Sequence, residues 1–139
     1  MAEELITWSD DFLMGEENID AQHQELVKLI NSLYAGAQMG GVMTKVSYME
    51  AIKGGLHYIK THFSYEEEMM EKSSFPFYKE HKKQHEGFVA EISRSIKELE
   101  KVDKPDPGAF ILFLKDWVLK HIADADKKYA PYVPSGRAR

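Results

Sequence analysis

Apolar residues recur at intervals of three and four along four stretches of the chain, the signature of helices with one buried face. The first stretch runs from about Asp20 to Met39. Its stripe is Ile19, His23, Leu26, Ile30 and Leu33, and Gly40-Gly41 closes it. The second runs from about Thr44 to Lys72 with the stripe Ile52, Leu56, Ile59, Phe63, Glu66 and Met70, and Ser73, Ser74 and Pro76 punctuate its end. The third opens near Pro76 and continues to about Lys101 through His81, His85, Phe88, Ile92, Ile96 and Leu99. The fourth begins at Asp106-Pro107, a capping residue followed by a proline suited to a first turn, and fades before Pro131. It carries Phe110, Leu114, Trp117, His121 and Ile122.

No segment alternates with period two for long enough to claim a strand. Four long helices joined by short connections predict an all-α, up-down-up-down antiparallel four-helix bundle spanning residues 18–130. Residues 1–17 form a separate N-terminal arm, whose Trp8, Phe12 and Leu13 suit folding back on one end of the bundle, and residues 131–139 read as a flexible tail. Gly54-Gly55 breaks the local rule. Each glycine inside a helix costs up to about 1 kcal/mol relative to alanine, so either the surface tolerates the pair or a neighbouring segment packs closely there.

Composition narrows the function. The 139 residues suffice for one core. No apolar run reaches the roughly 18 residues that span a bilayer, and the acidic start Met1-Ala2-Glu3-Glu4-Leu5 does not resemble a signal peptide, so a soluble cytoplasmic protein without a membrane partner is expected. The absence of cysteine removes disulfides, thiolate metal sites and iron–sulfur clusters. A net charge of −5, with Lys and Arg scattered among Asp and Glu, argues against a nucleic-acid partner.

The six histidines change the picture more. His23, His62, the pair His81/His85, and His121 place at least one imidazole on the apolar face of every helix. Five imidazoles facing one core are costly to bury unless something satisfies them, and a metal does. His81-x-x-x-His85 and His62-x-x-x-Glu66 each set two donors one helical turn apart, about 6 Å along the axis. This donor count exceeds one tetrahedral zinc site, and calcium and magnesium prefer oxygen, whereas two carboxylate-bridged irons suit it. The Glu-x-x-His pairs of ferritin-like sites are absent, because Asp20, Gly54, Ile59, Tyr78, Lys82 and Val118 stand three before the histidines. The HExxH zinc motif is absent too, since His85-Glu86 leads to Val89. His57 lies off the core direction, and Glu67 and Glu68 are expected on a solvated face.

Taken together, Trp8, Ile19-Asp20-x-Gln22-His23, His62-Phe63-x-x-Glu66-Glu67 with Met69-Met70, His81-x-x-x-His85, and Trp117-x-x-x-His121-Ile122-x-x-x-Asp126 resemble the hemerythrins, specifically the bacterial type. The likeness covers nearly the whole chain, one motif per helix, and myohemerythrin is itself an example of the up-down bundle. The resemblance implies two non-haem irons bridged by carboxylates and an oxo or hydroxo group, with dioxygen as ligand. His81, His85 and His121 would hold one iron and His23 and His62 the other, with Glu66 and Asp126 bridging. Leu26, Phe63, Trp117, Val118 and Ile122 would line the oxygen pocket, positions that core packing alone also explains. On an ideal α-helix Asp124 points closer to His121 than Asp126, which is rotated by about 140°, so Asp124 stands as the alternative to the family position.

The function expected is reversible dioxygen binding for storage, delivery or buffering, with no catalytic residues. An oxygen or redox sensor acting on a separate protein is the first alternative. A diiron peroxidase or nitric-oxide-scavenging enzyme is the second, with Tyr58, Tyr65 or Tyr78 available to line a channel.

Overall fold

The computed structural model describes residues 4–102 and 104–125, together with Lys128 and Pro131. Helix α1 spans Glu17–Met39, α2 Gly41–Tyr58, α3 Ser64–Lys72, α4 Tyr78–Lys101 and α5 Gly108–Asp116. A π-helical turn, Ile59–Phe63, welds α2 to α3 into one rod, and a longer π-helical segment, Trp117–Ala125, extends α5 into another. These four rods are the four helices that the hydrophobic pattern predicts. Each neighbouring pair runs antiparallel. Between the first two rods, Leu29 lies at Gly54 while Gly36 lies at Ser47. The second and third meet through Tyr48 with Glu98 at one end and Glu66 with His81 at the other. The third and fourth meet through Phe88 with Phe113 and His81 with His121. Among the described residues no helix is long and apolar enough to cross a membrane.

Helix boundaries follow local chemistry. α1 begins three residues before the predicted start near Asp20, because the Glu16 carboxylate accepts the Ile19 N–H at 2.8 Å and completes the first turn. Gly40 ends it with a φ of 76°, a conformation costly for any residue with a Cβ, and α2 starts at once. α4 starts at Tyr78, just past Pro76. The carboxylate of Asp106 accepts the Gly108 N–H at 2.9 Å, the capping bond expected of it, while α5 itself starts at Gly108, one residue past the predicted Pro107.

The second rod corrects the predicted stripe. Leu56 is 45 % exposed, and Gly55 and Tyr58 face the core in its place. A pattern reading scores leucine above glycine, but a Cβ at Gly55 would sit 2.6 Å from Ile92 Cδ1 and one at Gly54 would sit 2.7 Å from both Leu29 methyls. Close approach of two neighbouring helices explains the glycine pair.

The arm is anchored by two side chains of α1, Asn31 and Asp20. Asn31 Oδ1 accepts the N–H groups of Leu5 and Ile6, both at 3.0 Å, and its Nδ2 donates to the Ile6 carbonyl at 2.8 Å. Ile6 and Phe12 join the main core, with Trp8 packed on Phe12 at 5.3 Å between ring centroids. The Asp20 carboxylate accepts the backbone N–H groups of Met14 and Gly15 at 2.8 and 3.2 Å, which seats Met14 in a second apolar cluster with Ile19, Met70 and Phe75. A layer of buried histidines lies along the rods between these two clusters.

Candidate metal centre

His23 projects from α1, His62 from the π turn, Glu66 from α3, His81 and His85 from α4, and His121 from the π-helical end of the fourth rod. None of the six is more than 3 % exposed. Their donor atoms fall into two groups, Glu66/His81/His85/His121 and His23/His62/Glu66, and within each group all lie within 4.8 Å of one another. Glu66 belongs to both. Its Oε1 faces His81 Nε2 at 2.9 Å and His85 Nε2 at 3.1 Å, while Oε2 faces His62 Nε2 at 3.5 Å. The Nε2 atoms of His23 and His62 lie 3.1 Å apart.

The far sides of three rings show how the donors are aimed. His62 Nδ1 meets Gln22 Oε1 at 2.6 Å, His85 Nδ1 meets Glu67 Oε2 at 2.8 Å, and His121 Nδ1 bonds Gln84 Oε1. An oxygen acceptor at Nδ1 keeps the proton there and turns the Nε2 lone pair inward, as metal-binding imidazoles require. Aromatic rings fix the planes of the same three histidines. Phe63 stacks on His85 with centroids 3.9 Å apart, Trp117 on His121 at 3.9 Å, and Tyr58 on His62 at 4.7 Å.

This donor set fits a pair of cations. Imidazole nitrogens suit transition metals, and a buried carboxylate with its oxygens turned to opposite groups suits a bridge. Three imidazoles with Glu66 converge on one side and two imidazoles with Glu66 on the other.

Six of the seven expected ligands are thus gathered, and Asp126 lies outside the described residues. Leu26, Phe63, Trp117, Val118 and Ile122 are all buried in the main core. One expectation needs adjustment. Glu67 does not sit on a solvated face, because it holds His85, although Glu68 does, paired with Lys72 at 2.9 Å. Gln84 was not singled out at all. Its place one residue before His85 is the signal that existed, since it lies between the two α4 ligands and faces the next rod. His57 is exposed, as expected.

The site and fold define a four-helix bundle built around a paired-cation centre. Residues 14–133 match the hemerythrin HHE cation binding domain. The chain is 30 % identical over 129 residues to a bacteriohemerythrin of Stenotrophomonas maltophilia, covering 93 % of this chain and 82 % of that protein. It is 32 % identical to a bacteriohemerythrin of Pseudomonas aeruginosa, covering 92 % of this chain and 81 % of that one. It is also 32 % identical to a myohemerythrin of Riftia pachyptila, covering 88 % of each. A crystal structure of a hemerythrin L114A mutant superposes with a TM-score of 0.80 at 23 % identity, over 96 % of this chain and 100 % of that one, which shows the shared fold. The chain belongs to the hemerythrin family, whose members hold a non-haem diiron centre, and its histidines and Glu66 are positioned to bind one.

Proposed function

We propose that this protein binds dioxygen reversibly at a non-haem diiron centre, in storage, delivery or buffering rather than catalysis. The observation that carries the reading is the unequal division of donors, three histidines and Glu66 against two histidines and Glu66. His81, His85 and His121 would hold one iron, His23 and His62 the other, with Glu66 and Asp126 between them. The smaller set leaves room for an exogenous ligand. Two irons held there would supply the electrons that reversible oxygen binding requires.

The chain's own part is positioning and exclusion. Gln22, Glu67 and Gln84 hold three imidazoles with their Nε2 atoms inward. Leu26, Phe63, Trp117, Val118 and Ile122 keep the ligand's surroundings apolar, which disfavours charge separation and loss of the ligand in reduced form. A site for turning over a polar substrate needs positioned acids or bases besides the metal ligands. Of the tyrosines considered for that role, Tyr65 reaches Glu16 at 3.4 Å, and the Tyr58 hydroxyl accepts from Trp117 Nε1 at 3.4 Å within the core.

Iron content and visible absorption of the anaerobically reduced protein test this. About two irons per chain, with a charge-transfer band that forms in air and fades under argon, are expected. Two irons that oxidise without a reversible band would replace the reading with a redox sensor or an enzyme.

A further inference from the structure

A cleft of about 230 Å³ lies between α1 and α2, apart from the metal donors themselves. Its walls include Gln22, Leu26, Leu29, Gly54, His57 and Tyr58. Two of these touch a candidate ligand directly: Gln22 bonds His62 Nδ1, and the Tyr58 ring stacks on the His62 imidazole. A third, Leu26, is only 2 % exposed and belongs both to the cleft wall and to the expected ligand pocket. The cleft floor is therefore one side chain thick above the two-histidine end of the centre.

We propose that this cleft is the access route by which a small uncharged molecule reaches that end, with Leu26 as its gate and Leu29 and Gly54 setting its width. The proposal rests on the dioxygen reading for the identity of the traveller. A water molecule's share of liquid volume is about 30 Å³, so the cleft has ample room for a diatomic. The walls grade from polar to apolar: Glu25 and His57 are exposed, whereas Leu26 and Tyr58 are buried. An ion would lose its hydration against the inner wall, and a neutral diatomic has almost none to lose. Passage needs a rotamer change of Leu26, and buried side chains do hop between rotamers within a close-packed core. Gly54 contributes by lacking a side chain. A Cβ there would collide with both methyls of Leu29, so the helix-weakening glycine keeps the α1–α2 wall in its present shape.

Substitutions at Leu29, which is half-buried and touches no candidate ligand, test the route in the iron-loaded protein. Leu29→Trp fills the mouth and Leu29→Ala widens it. Dioxygen association and dissociation in Leu29→Trp should both slow by about tenfold with the equilibrium affinity unchanged, because a constriction acts equally in both directions. Leu29→Ala should speed both. Crystals of the iron-loaded protein under xenon pressure should show xenon between Leu26 and Leu29, displaced in Leu29→Trp. Unchanged rates in both variants would overturn the proposal, as would an affinity change carried by one rate alone. A wild-type cleft empty of xenon would overturn it as well. Failure of the wild type to oxygenate reversibly would instead refute the dioxygen reading, and the xenon result would still decide whether small neutral molecules enter the cleft.

Discussion

The Glu67 carboxylate lies 2.8 Å from His85 Nδ1, while Glu66, its neighbour in sequence, lies 3.1 Å from Nε2 of the same ring. Consecutive residues on α3 thus grip one imidazole from both sides. Glu66 is fully buried and Glu67 partly so, which suits one to the metal and the other to orientation. Removing such an outer acceptor typically costs 10- to 100-fold in metal affinity, so Glu67→Ala should weaken iron binding by about that range. Glu67→Gln retains an oxygen acceptor without the charge and should lose less. Competition of each variant against a chelator measures this, and an affinity equal to wild type in Glu67→Ala would remove Glu67 from the site.

Gly55 gives a prediction about stability. Its hydrogen occupies a place where a methyl would lie 2.6 Å from Ile92 Cδ1, and Ile92 is 1 % exposed. Overpacking of a buried site costs about 1–3 kcal/mol, against a helix-propensity gain for alanine of up to about 1 kcal/mol. Gly55→Ala should therefore destabilise the bundle by roughly 1 kcal/mol in urea unfolding. Ile92→Val removes the colliding carbon, and in that background Gly55→Ala should become neutral or stabilising. The sign reversal in a double-mutant cycle isolates the contact. An unchanged cost would place the strain elsewhere.

Tyr48 makes the alkaline limit of stability predictable. Burial first, then the hydrogen bond and negative charge of Glu98, push its hydroxyl up from 10.0 to about 12 against the opposing Ser95 hydroxyl and Arg94 charge. The folded chain therefore holds this proton more tightly than the unfolded one. Its contribution is fully present below about pH 10 and is lost as the pH rises toward about 12. The urea midpoint should fall across that interval, and the fall should be shallower in Tyr48→Phe. Equal slopes in the two proteins would contradict the assignment. Below pH 10, Tyr48→Phe should cost about 0.5–1.5 kcal/mol for the lost bond to Glu98, which is 2.7 Å long.

The four rods and the gathering of five histidines were legible because both depend on helical periodicity, which sequence displays directly. His23, His81, His85 and His121 sit on apolar stripes and His62 one residue beside one, on the same broad face, and burial of those faces brings the rings together. What stayed hidden depends on the fit between rods. Leu56 was misplaced because only the position of Ile92 reveals why Gly55 must face inward. Gln84 and Glu67 reach their imidazoles on the flanks of α4 and α3, off the stripe, where sequence shows only polar residues. Asn31 anchors the arm through three backbone bonds to Leu5 and Ile6, and no spacing rule links positions some 25 residues apart.

The winding of the fourth rod bears on the choice between Asp124 and Asp126. The angular argument for Asp124 assumes α-helical geometry, in which a residue five positions on is rotated by about 140°. The chain does not wind that way here, since Trp117–Ala125 is π-helical. In a π-helix each N–H reaches back five residues rather than four, so positions i and i+5 share a face, about as i and i+4 do in an α-helix. Five residues beyond His121 in sequence is Asp126, which lies outside the described residues, and π-helical turns are frequent at functional sites. Asp126→Ala should accordingly reduce bound iron from about two per chain to about one or fewer, because the second carboxylate bridge is lost. Asp124→Ala should keep both irons and the oxygenation band. Iron analysis of the two variants, with circular dichroism to verify equal helix content, decides between them. Loss of iron in Asp124→Ala with retention in Asp126→Ala would assign the bridge to Asp124 and show that α-helical register governs this turn once metal is bound.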